Sequence, residues 1–181
     1  MHFIRMPSLL LVHLAATICA ETITQFEAAI DALSTKVIAL DSTIAALTPQ
    51  TPATTVQQIP PSLQSISAGI TSAVNNAQGI PTTSDAATEV IFFEAFGLLT
   101  NEIWNIVDEL AFQKSNLINV FGLRTPIHTQ IINLNTTYQQ LNEFTYNSVG
   151  DAASKKETLN YDGDSTGGTI RSINLAAAAF A

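Results

Sequence analysis

The stretch "EVIFFEAFGLLTNEIWNIVDELAF", residues 89–112, constrains the fold more than any other part of the chain. It holds four of the nine phenylalanines and the only tryptophan, and it contains no proline. At helical spacing it carries two neighbouring apolar seams, one of Phe92, Phe96, Leu99, Ile103, Ile106 and Leu110 and one of Phe93, Gly97, Trp104, Val107 and Ala111. A helix that is apolar over more than half its circumference needs neighbours on several sides. The stretch therefore predicts the central helix of a bundle.

Three further segments have a single apolar seam at helical spacing, and none shows the alternation typical of a strand. The seams are Ile23, Phe26, Ile30, Leu33, Val37, Leu40, Ile44 and Leu47 in the first segment, Leu63, Ile66, Ile70, Val74 and Ala77 in the second, and Ile127, Ile131, Leu134, Tyr138, Leu141 and Thr145 in the third. A fifth helix is expected from Asp151, broken at 162–168 and resuming after it. We predict an all-α fold, a single helical bundle of about five helices.

Proline, glycine and short polar residues mark the helix boundaries. "TPQTP" at 48–52 ends the first helix, and residues 53–59 form either a separate turn or a kinked start of the next one. The central helix has Thr82, Thr83 and Ser84 as N-cap candidates. "FGLRTP" at 121–126 predicts a turn with Thr125 as the next N-cap and Pro126 at the first helical position.

The first twenty residues have the features of a secretory signal peptide. A short start with Arg5 as its only charge precedes the apolar run "LLLVHLAATICA", and the chain turns polar at Glu21. This run is too short for a transmembrane anchor, so we expect cleavage after Ala20 and a single domain over 21–181. The only cysteine, Cys19, would leave with the signal, so the mature fold would depend on its core rather than on disulfides.

The negative net charge disfavours two classes of binding partner. Fifteen Asp and Glu face seven Lys and Arg, and loss of Arg5 leaves a net charge of −9 (15 minus 6). No basic patch is present. Binding to nucleic acid or to anionic membrane headgroups is therefore disfavoured.

Catalytic and metal-binding constellations are absent from the predicted mature sequence. His128 is the only imidazole left, and nothing near it resembles a nucleophile motif. Asp108 and Glu109 are consecutive and so point in different directions on a helix. "DGDSTG" at 162–167 matches half of a calcium loop, but Ile173 stands where the bidentate Glu is required. We predict no enzymatic activity, no metal and no cofactor; a secreted hydrolase is the least favoured alternative.

The pattern of helices and connectors resembles the fungal hydrophobic surface-binding protein family, also called the cell wall galactomannoprotein or antigenic mannoprotein family. The resemblance rests on "VIALDSTIAAL", "IPTTSDAATEVI", "LAFQKSNLINVFG" and "LNEFTYNSV", and it covers nearly the whole mature chain. The chain departs from the family at "NYDGDSTGG", where members usually have an unbroken final helix. The resemblance implies a secreted or wall-associated helical bundle without enzymatic activity. It also implies binding of fatty acids inside the bundle, or coating of hydrophobic surfaces with recruitment of a secreted esterase.

Two interpretations of the many apolar side chains in the helix seams remain open. In one, the seams fill a solid core, and the protein is a structural cell-wall mannoprotein with no specific small-molecule ligand. In the other, which the resemblance favours, the helices enclose a slot for an acyl chain, a mostly apolar pocket with a few polar groups. The expected lining is Leu63, Ile66, Ile70, Phe92, Phe96, Leu99, Ile103, Leu134 and Leu141.

The same hypothesis assigns supporting residues to the slot. Gly69 and Gly97 would leave room for the ligand. A carboxylate would accept hydrogen bonds from Gln64, Ser67, Thr100 or Gln113. "NTT" places the single N-glycosylation sequon at Asn135.

Overall fold

The computed structural model describes residues 8–83, 85–150 and 168–181, with side chains from Thr22 onward. The part of the chain it describes is helical, without a strand, which confirms the all-α prediction. The elements are α1 (Ser8–Ala45), α2 (Ala53–Val56), α3 (Ile59–Ala77), α4 (Ala86–Asp108), a π-helix (Glu109–Gln113), α5 (Ser115–Val120), α6 (Arg124–Ser148) and α7 (Thr169–Phe180). The helix start expected at Asp151 and the loop at 162–167 lie outside the described residues.

Five of these helices form a closed ring. α1 packs between α3 and α4, α6 packs between α3 and α7, and α7 completes the ring by packing against α4. α2 and α5 are single turns in the connections. The bundle of about five helices expected from the sequence is therefore present, and its apolar seams converge on the centre of the ring.

The predicted seams are the buried faces. Every seam residue from Phe26 to Leu47 in the α1 segment is at most 4% exposed, and the α4 seam from Phe92 to Leu110 is fully buried. The seam of α6 from Ile127 to Thr145 is also fully buried. Ile23, at the start of the first seam, is only half-buried. The spacing of apolar residues thus identified the inward face of each long helix.

α4 is a wall of the ring rather than its central helix. Among the described elements it packs against α1 and α7 and makes few contacts with α6. Its second seam is only partly covered, since Phe93 is half-buried and Trp104 is 40% exposed, whereas Val107 and Ala111 are buried. A ring of five helices gives each wall two flanking neighbours, which is too few to cover two complete seams.

The end of α4 departs from regular helix. The backbone widens into the π-helix over Glu109–Gln113, with Lys114 N–H donating to the Glu109 carbonyl at 3.0 Å. A π-turn holds one more residue than an α-turn and so rotates the next residues of the chain about the helix axis. The Lys114 ammonium donates to the carbonyls of Ala45 (3.1 Å) and Leu47 (3.0 Å), which satisfies acceptors at the end of α1.

Two N-caps differ from those expected. Asp85 caps α4, because its Oδ2 accepts from the Thr88 N–H at 3.0 Å and from the Thr88 hydroxyl at 2.8 Å. α6 begins at Arg124 with Leu123 at the N-cap, so Thr125 is already helical and Pro126 lies within the first turn. Residues 53–59 contain the separate helix α2, which settles the alternative left open by the sequence.

Thr82 and Thr83, which the sequence offers as caps, instead bind the end of α6. Thr83 N–H donates to the Ser148 carbonyl at 2.9 Å, and the Thr82 hydroxyl donates to the Asn147 carbonyl at 2.9 Å. Gly150 N–H donates to both the Thr83 carbonyl (2.5 Å) and Glu89 Oε1 (3.0 Å). The α3–α4 connection is thereby fixed across the end of α6.

We expect the Asp85 cap to make stability depend on pH in the acid range. Its hydrogen bonds from Thr88 lower the pKa of the Asp85 carboxyl below 3.8. Because the folded pKa is the lower one, this stabilisation is present above pH 3.8 and is lost as the pH falls through the folded pKa. The thermal unfolding midpoint of the native protein should exceed that of Asp85→Asn at pH 6 and approach it at pH 3. An equal difference in unfolding midpoint at pH 6 and pH 3 would contradict the assignment of Asp85 as the charged N-cap.

Candidate functional site

The nine residues expected to line a slot all lie in one contiguous buried core. Eight are fully buried and Ile66 is 1% exposed. They come from three walls of the ring, α3 (Leu63, Ile66, Ile70), α4 (Phe92, Phe96, Leu99, Ile103) and α6 (Leu134, Leu141). The structure thus brings the nine together in the bundle interior, which we take as the candidate site.

Aromatic rings occupy one end of this interior. Phe26, Phe92 and Phe144 form a triad with centroid separations of 5.4 Å, 5.2 Å and 6.0 Å. Phe96 stacks on Tyr138 at 5.9 Å. Such ring pairs add about 0.5–1.5 kcal/mol beyond their area burial. The expected lining did not include Phe26, Phe144 or Tyr138, although Phe26 and Tyr138 have the spacing of their seams.

The interior is not purely apolar, because it also holds hydroxyl groups. Thr100 Oγ1 and the Tyr138 hydroxyl are 3.1 Å apart and buried, so one donates to the other. Ser67 is 6% exposed, and within the described residues its Oγ has no hydrogen-bond partner. A buried hydroxyl left unpaired costs about 1–3 kcal/mol. These groups could donate to an incoming acceptor without first losing contact with water.

Of the other two polar candidates, only Gln64 has a described side chain. Gln64 is exposed on the outer side of α3. The side chain of Gln113 lies outside the described part of the structure. Of the three whose side chains are described, Ser67 and Thr100 are the two that the fold places inside.

Gly69 leaves no room in the interior. A Cβ at Gly69 would overlap the Leu33 side chain, whose Cγ would be only 3.3 Å away, so this glycine permits close approach of α3 to α1. Gly97 is buried but borders a shallow surface cleft with Glu94, Leu98 and Asn101. The expectation that these glycines create ligand space is wrong for Gly69, and Gly97 borders a cleft that none of the nine lines.

Because the nine lining side chains are sealed from solvent, a ligand could reach them only if the helices separate. No disulfide closes the ring, since residues 21–181 contain no cysteine; side-chain packing and hydrogen bonds such as Ser34 to Glu102 hold the helices together. Local opening of a bundle without covalent bridges is an ordinary fluctuation. An apolar chain that entered through such an opening would meet apolar walls and the buried hydroxyl groups.

Residues considered for catalysis are placed apart from this interior. His128 is half-buried near the start of α6, as its fifth residue. Burial and the nearby carboxylates of Asp41 and Asp108 raise the pKa of Glu109 against the opposing effect of Lys114. Among the described residues, no group of three or more His, Cys, Asp and Glu could hold a metal.

Asn135 lies half-buried in the middle of α6. Its amide nitrogen donates to Asn174 Oδ1 on α7 at 3.0 Å, and its oxygen accepts from Gln139 Nε2 at 3.4 Å. A glycan attached to that nitrogen would leave it a single N–H and would have to fit beside α7. Glycosylation at this sequon stays a prediction.

Several large apolar side chains remain on the outer face of the α4 segment. Val90 (49%), Leu98 (58%), Trp104 (40%) and Phe112 (64%) are exposed. The stretch Ala86–Phe112 is long and apolar enough to cross a membrane by length and composition, but half of it is buried in the fold. A core helix of a bundle passes the same test. These side chains make the outer face of α4 a second surface of interest.

Comparison with known proteins identifies the fold. No protein-family model matches the sequence, and no curated protein sequence matches it. Two solved structures do: AfMP4p in complex with palmitic acid, and ligand-binding domain 2 of the Penicillium marneffei MP1 protein complexed with multiple arachidonic acids. Each superposes with a TM-score of 0.72 over 88% of this chain, covering 99% and 96% of the other chain at 15% and 17% identity. At these identities the likeness establishes a shared helical fold.

Proposed function

We propose that this protein binds a long-chain fatty acid in the interior of the helical ring, without catalysis. The observation that carries the proposal is the set of buried hydroxyl groups in an otherwise apolar core formed by the nine expected residues. Ser67, Thr100 and Tyr138 are donors suited to a carboxylate, and the seams of α3, α4 and α6 suit its acyl chain.

The structural neighbours support this proposal through their ligands. Both carry fatty acids on the same fold, and one carries several in a single domain. The hydrophobic surface-binding or cell wall galactomannoprotein family stays our proposed assignment. A structural mannoprotein, in which the interior is only a packed core, is the alternative within that assignment.

Native mass spectrometry tests the proposal on the purified protein. We expect species heavier than the polypeptide by the mass of one or more fatty acids, and loss of this excess after denaturation. Organic extraction of the same sample should yield the acid. A native mass equal to the denatured mass, with no fatty acid in the extract, would favour the structural alternative.

We also propose secretion with removal of residues 1–20, on the basis of the basic start, the apolar run and the polar switch at Glu21. N-terminal sequencing of protein from culture medium should begin near Glu21. Recovery of the uncleaved chain in a membrane fraction would contradict this.

The exposed face of α4 favours a second function, adsorption to hydrophobic surfaces. Leu98, Trp104 and Phe112 would contact the surface while the ring stays closed. Leu98→Ser combined with Trp104→Ser should weaken adsorption to hydrophobic beads and leave fatty-acid affinity unchanged. We propose that the protein adsorbed in this way recruits a secreted esterase to the hydrophobic surface.

A further inference from the structure

A cleft on the outside of the bundle has a lining unlike the interior. It lies between the C-terminal halves of α3 and α6, is open to solvent and has a volume of about 730 Å³. Its polar side chains form two rows: Thr71, Asn75 and the C-cap residue Gln78 of α3, and Gln140, Glu143 and Asn147 on α6. Val74, Ile80 and Phe144 supply its apolar part. The volume is within the range of about 300–1,000 Å³ typical of small-ligand sites.

The α6 row presents polar groups that the protein does not use. Gln140, Glu143 and Asn147 are spaced three and four residues apart, so they share one face of the helix. All three are exposed, and within the described residues their side chains make no hydrogen bond to the protein. Across the cleft, Asn75 is engaged only by a long bond of 3.3 Å from Gln78. The cleft therefore has free donors and acceptors on both sides.

The composition of the lining restricts the ligand class. Among the described residues, no Lys, Arg or His lines the cleft, so none of them balances an anion, and the acidic net charge of the chain opposes one. A wholly apolar ligand would leave both polar rows desolvated. Carboxamides both donate and accept, as hydroxyl groups do, and they match a neutral ligand that carries many hydroxyls.

The apolar part of the lining fits the same class. Phe144 is held in place by Phe26 and Phe92 on its inner side, at 5.2 Å and 6.0 Å, and is half-buried where it meets the cleft. The electron-rich face of a fixed aromatic ring attracts the polarised C–H groups of a sugar ring. The Thr82 and Thr83 bonds to the end of α6 fix the remaining wall.

We propose that this cleft is a binding site for a neutral oligosaccharide. Carboxamides of Asn75, Gln78, Gln140 and Asn147 would bind the hydroxyl groups, and Phe144 would contact a sugar ring. The site is separate from the fatty-acid interior and does not rest on the function proposed for it.

The test is NMR titration of the full mature protein with three neutral trisaccharides, mannotriose, maltotriose and chitotriose. We expect saturable shifts, with at least one of them, for backbone amides at 74–80 and 140–148. Absence of saturable shifts in these segments with all three sugars would overturn the proposal.

Neighbouring residues of the same type provide matched variants. Asn75→Ala and Gln140→Ala should each weaken binding by about fivefold, the equivalent of one hydrogen bond, whereas Asn76→Ala and Gln139→Ala should change it by less than about twofold. Asn76 and Gln139 are exposed on the same helices but do not line the cleft. Equal effects within both pairs would place the sugar elsewhere and overturn the assignment.

Two further measurements separate this site from others. Glu143→Gln should preserve trisaccharide binding, because a neutral carboxamide also accepts hydrogen bonds from sugar hydroxyls. Loss of binding would show that recognition depends on the Glu143 carboxylate and would overturn the assignment of the site to carboxamides. Palmitic-acid affinity should be unchanged in Asn75→Ala and Gln140→Ala. If these variants lost both sugar and palmitic-acid binding, the two ligands would share one site and the proposal would be contradicted. If neither the native protein nor the variants bound palmitic acid, only the fatty-acid site proposed for the interior would be contradicted.

Discussion

Leu99→Ala is expected to lower the free energy of unfolding by about 2–5 kcal/mol, as large-to-small changes in a packed core do. Leu99 is fully buried in the α4 seam, and Ile103 is equally buried one turn further on, so Ile103→Ala should have a similar cost. Chemical denaturation of each variant measures the change. Far-ultraviolet circular dichroism should first show that the variants retain their helix content.

The adjacent leucine is the control for this prediction. Leu98 is 58% exposed on the outer face of the same helix, so Leu98→Ala should change the free energy of unfolding by about 0.5 kcal/mol or less. The ring arrangement would be contradicted if Leu98→Ala cost more than Leu99→Ala. It would also be contradicted if both Leu99→Ala and Ile103→Ala cost less than about 0.5 kcal/mol.

Tyr138→Phe is expected to reduce fatty-acid affinity without closing the interior to the acyl chain. If the Tyr138 hydroxyl donates to the carboxylate, its removal should cost about 1.5–3 kcal/mol, or roughly 10- to 150-fold in Kd. The change also leaves Thr100 without its hydrogen-bond partner at 3.1 Å, so the free protein should lose about 1–3 kcal/mol of stability. Isothermal titration calorimetry with palmitic acid measures the affinity.

Methyl palmitate separates recognition of the carboxylate from a change in packing. The ester has the same acyl chain but no negative charge, so its affinity should differ little between Tyr138→Phe and the native protein. Tyr146→Phe, on the same helix but only half-buried, serves as the matched variant and should leave the palmitate Kd nearly unchanged. Equal losses for acid and ester in Tyr138→Phe would mean that the hydroxyl does not bind the carboxylate.

The inward faces of the helices could be predicted because burial depends on spacing along one helix. The seams ending at Leu47, Leu110 and Thr145 follow from residues three and four apart, and all three end residues are buried in the structure. The sequence also indicated that Ser67 and Thr100 were candidate polar groups of the interior. It could not reveal the pairing of Thr100 with Tyr138, because this pairing depends on how α4 and α6 face each other.

The features that were mispredicted depend on neighbours distant in sequence. Thr82 and Thr83 are residue types that favour the N-cap, but both hydrogen-bond to the end of α6. Asp85 therefore caps α4. Glycine is compatible either with open space or with close helix contact, and only the position of Leu33 on α1 decides this for Gly69. The second seam of α4 indicated several neighbours, yet the closed ring leaves Trp104 partly exposed.

In the α3–α6 cleft, too, one feature depends on spacing along a single helix and another depends on the tertiary fold. Gln140, Glu143 and Asn147 share a helical face by spacing alone, but polar rows on exposed helix faces are common. Their significance comes from the facing row on α3 and from Phe144 between them. This juxtaposition of two parallel rows requires the tertiary fold.

Titration of delipidated protein with palmitic acid tests the central claim most directly. We predict saturable binding by calorimetry and a rise in the unfolding midpoint with ligand concentration. The stabilisation should reach about 2.7 kcal/mol when the free acid is about a hundred times its Kd. An unfolding midpoint that does not move, together with no saturable heat below the concentration at which the acid self-associates, would contradict fatty-acid binding in the interior.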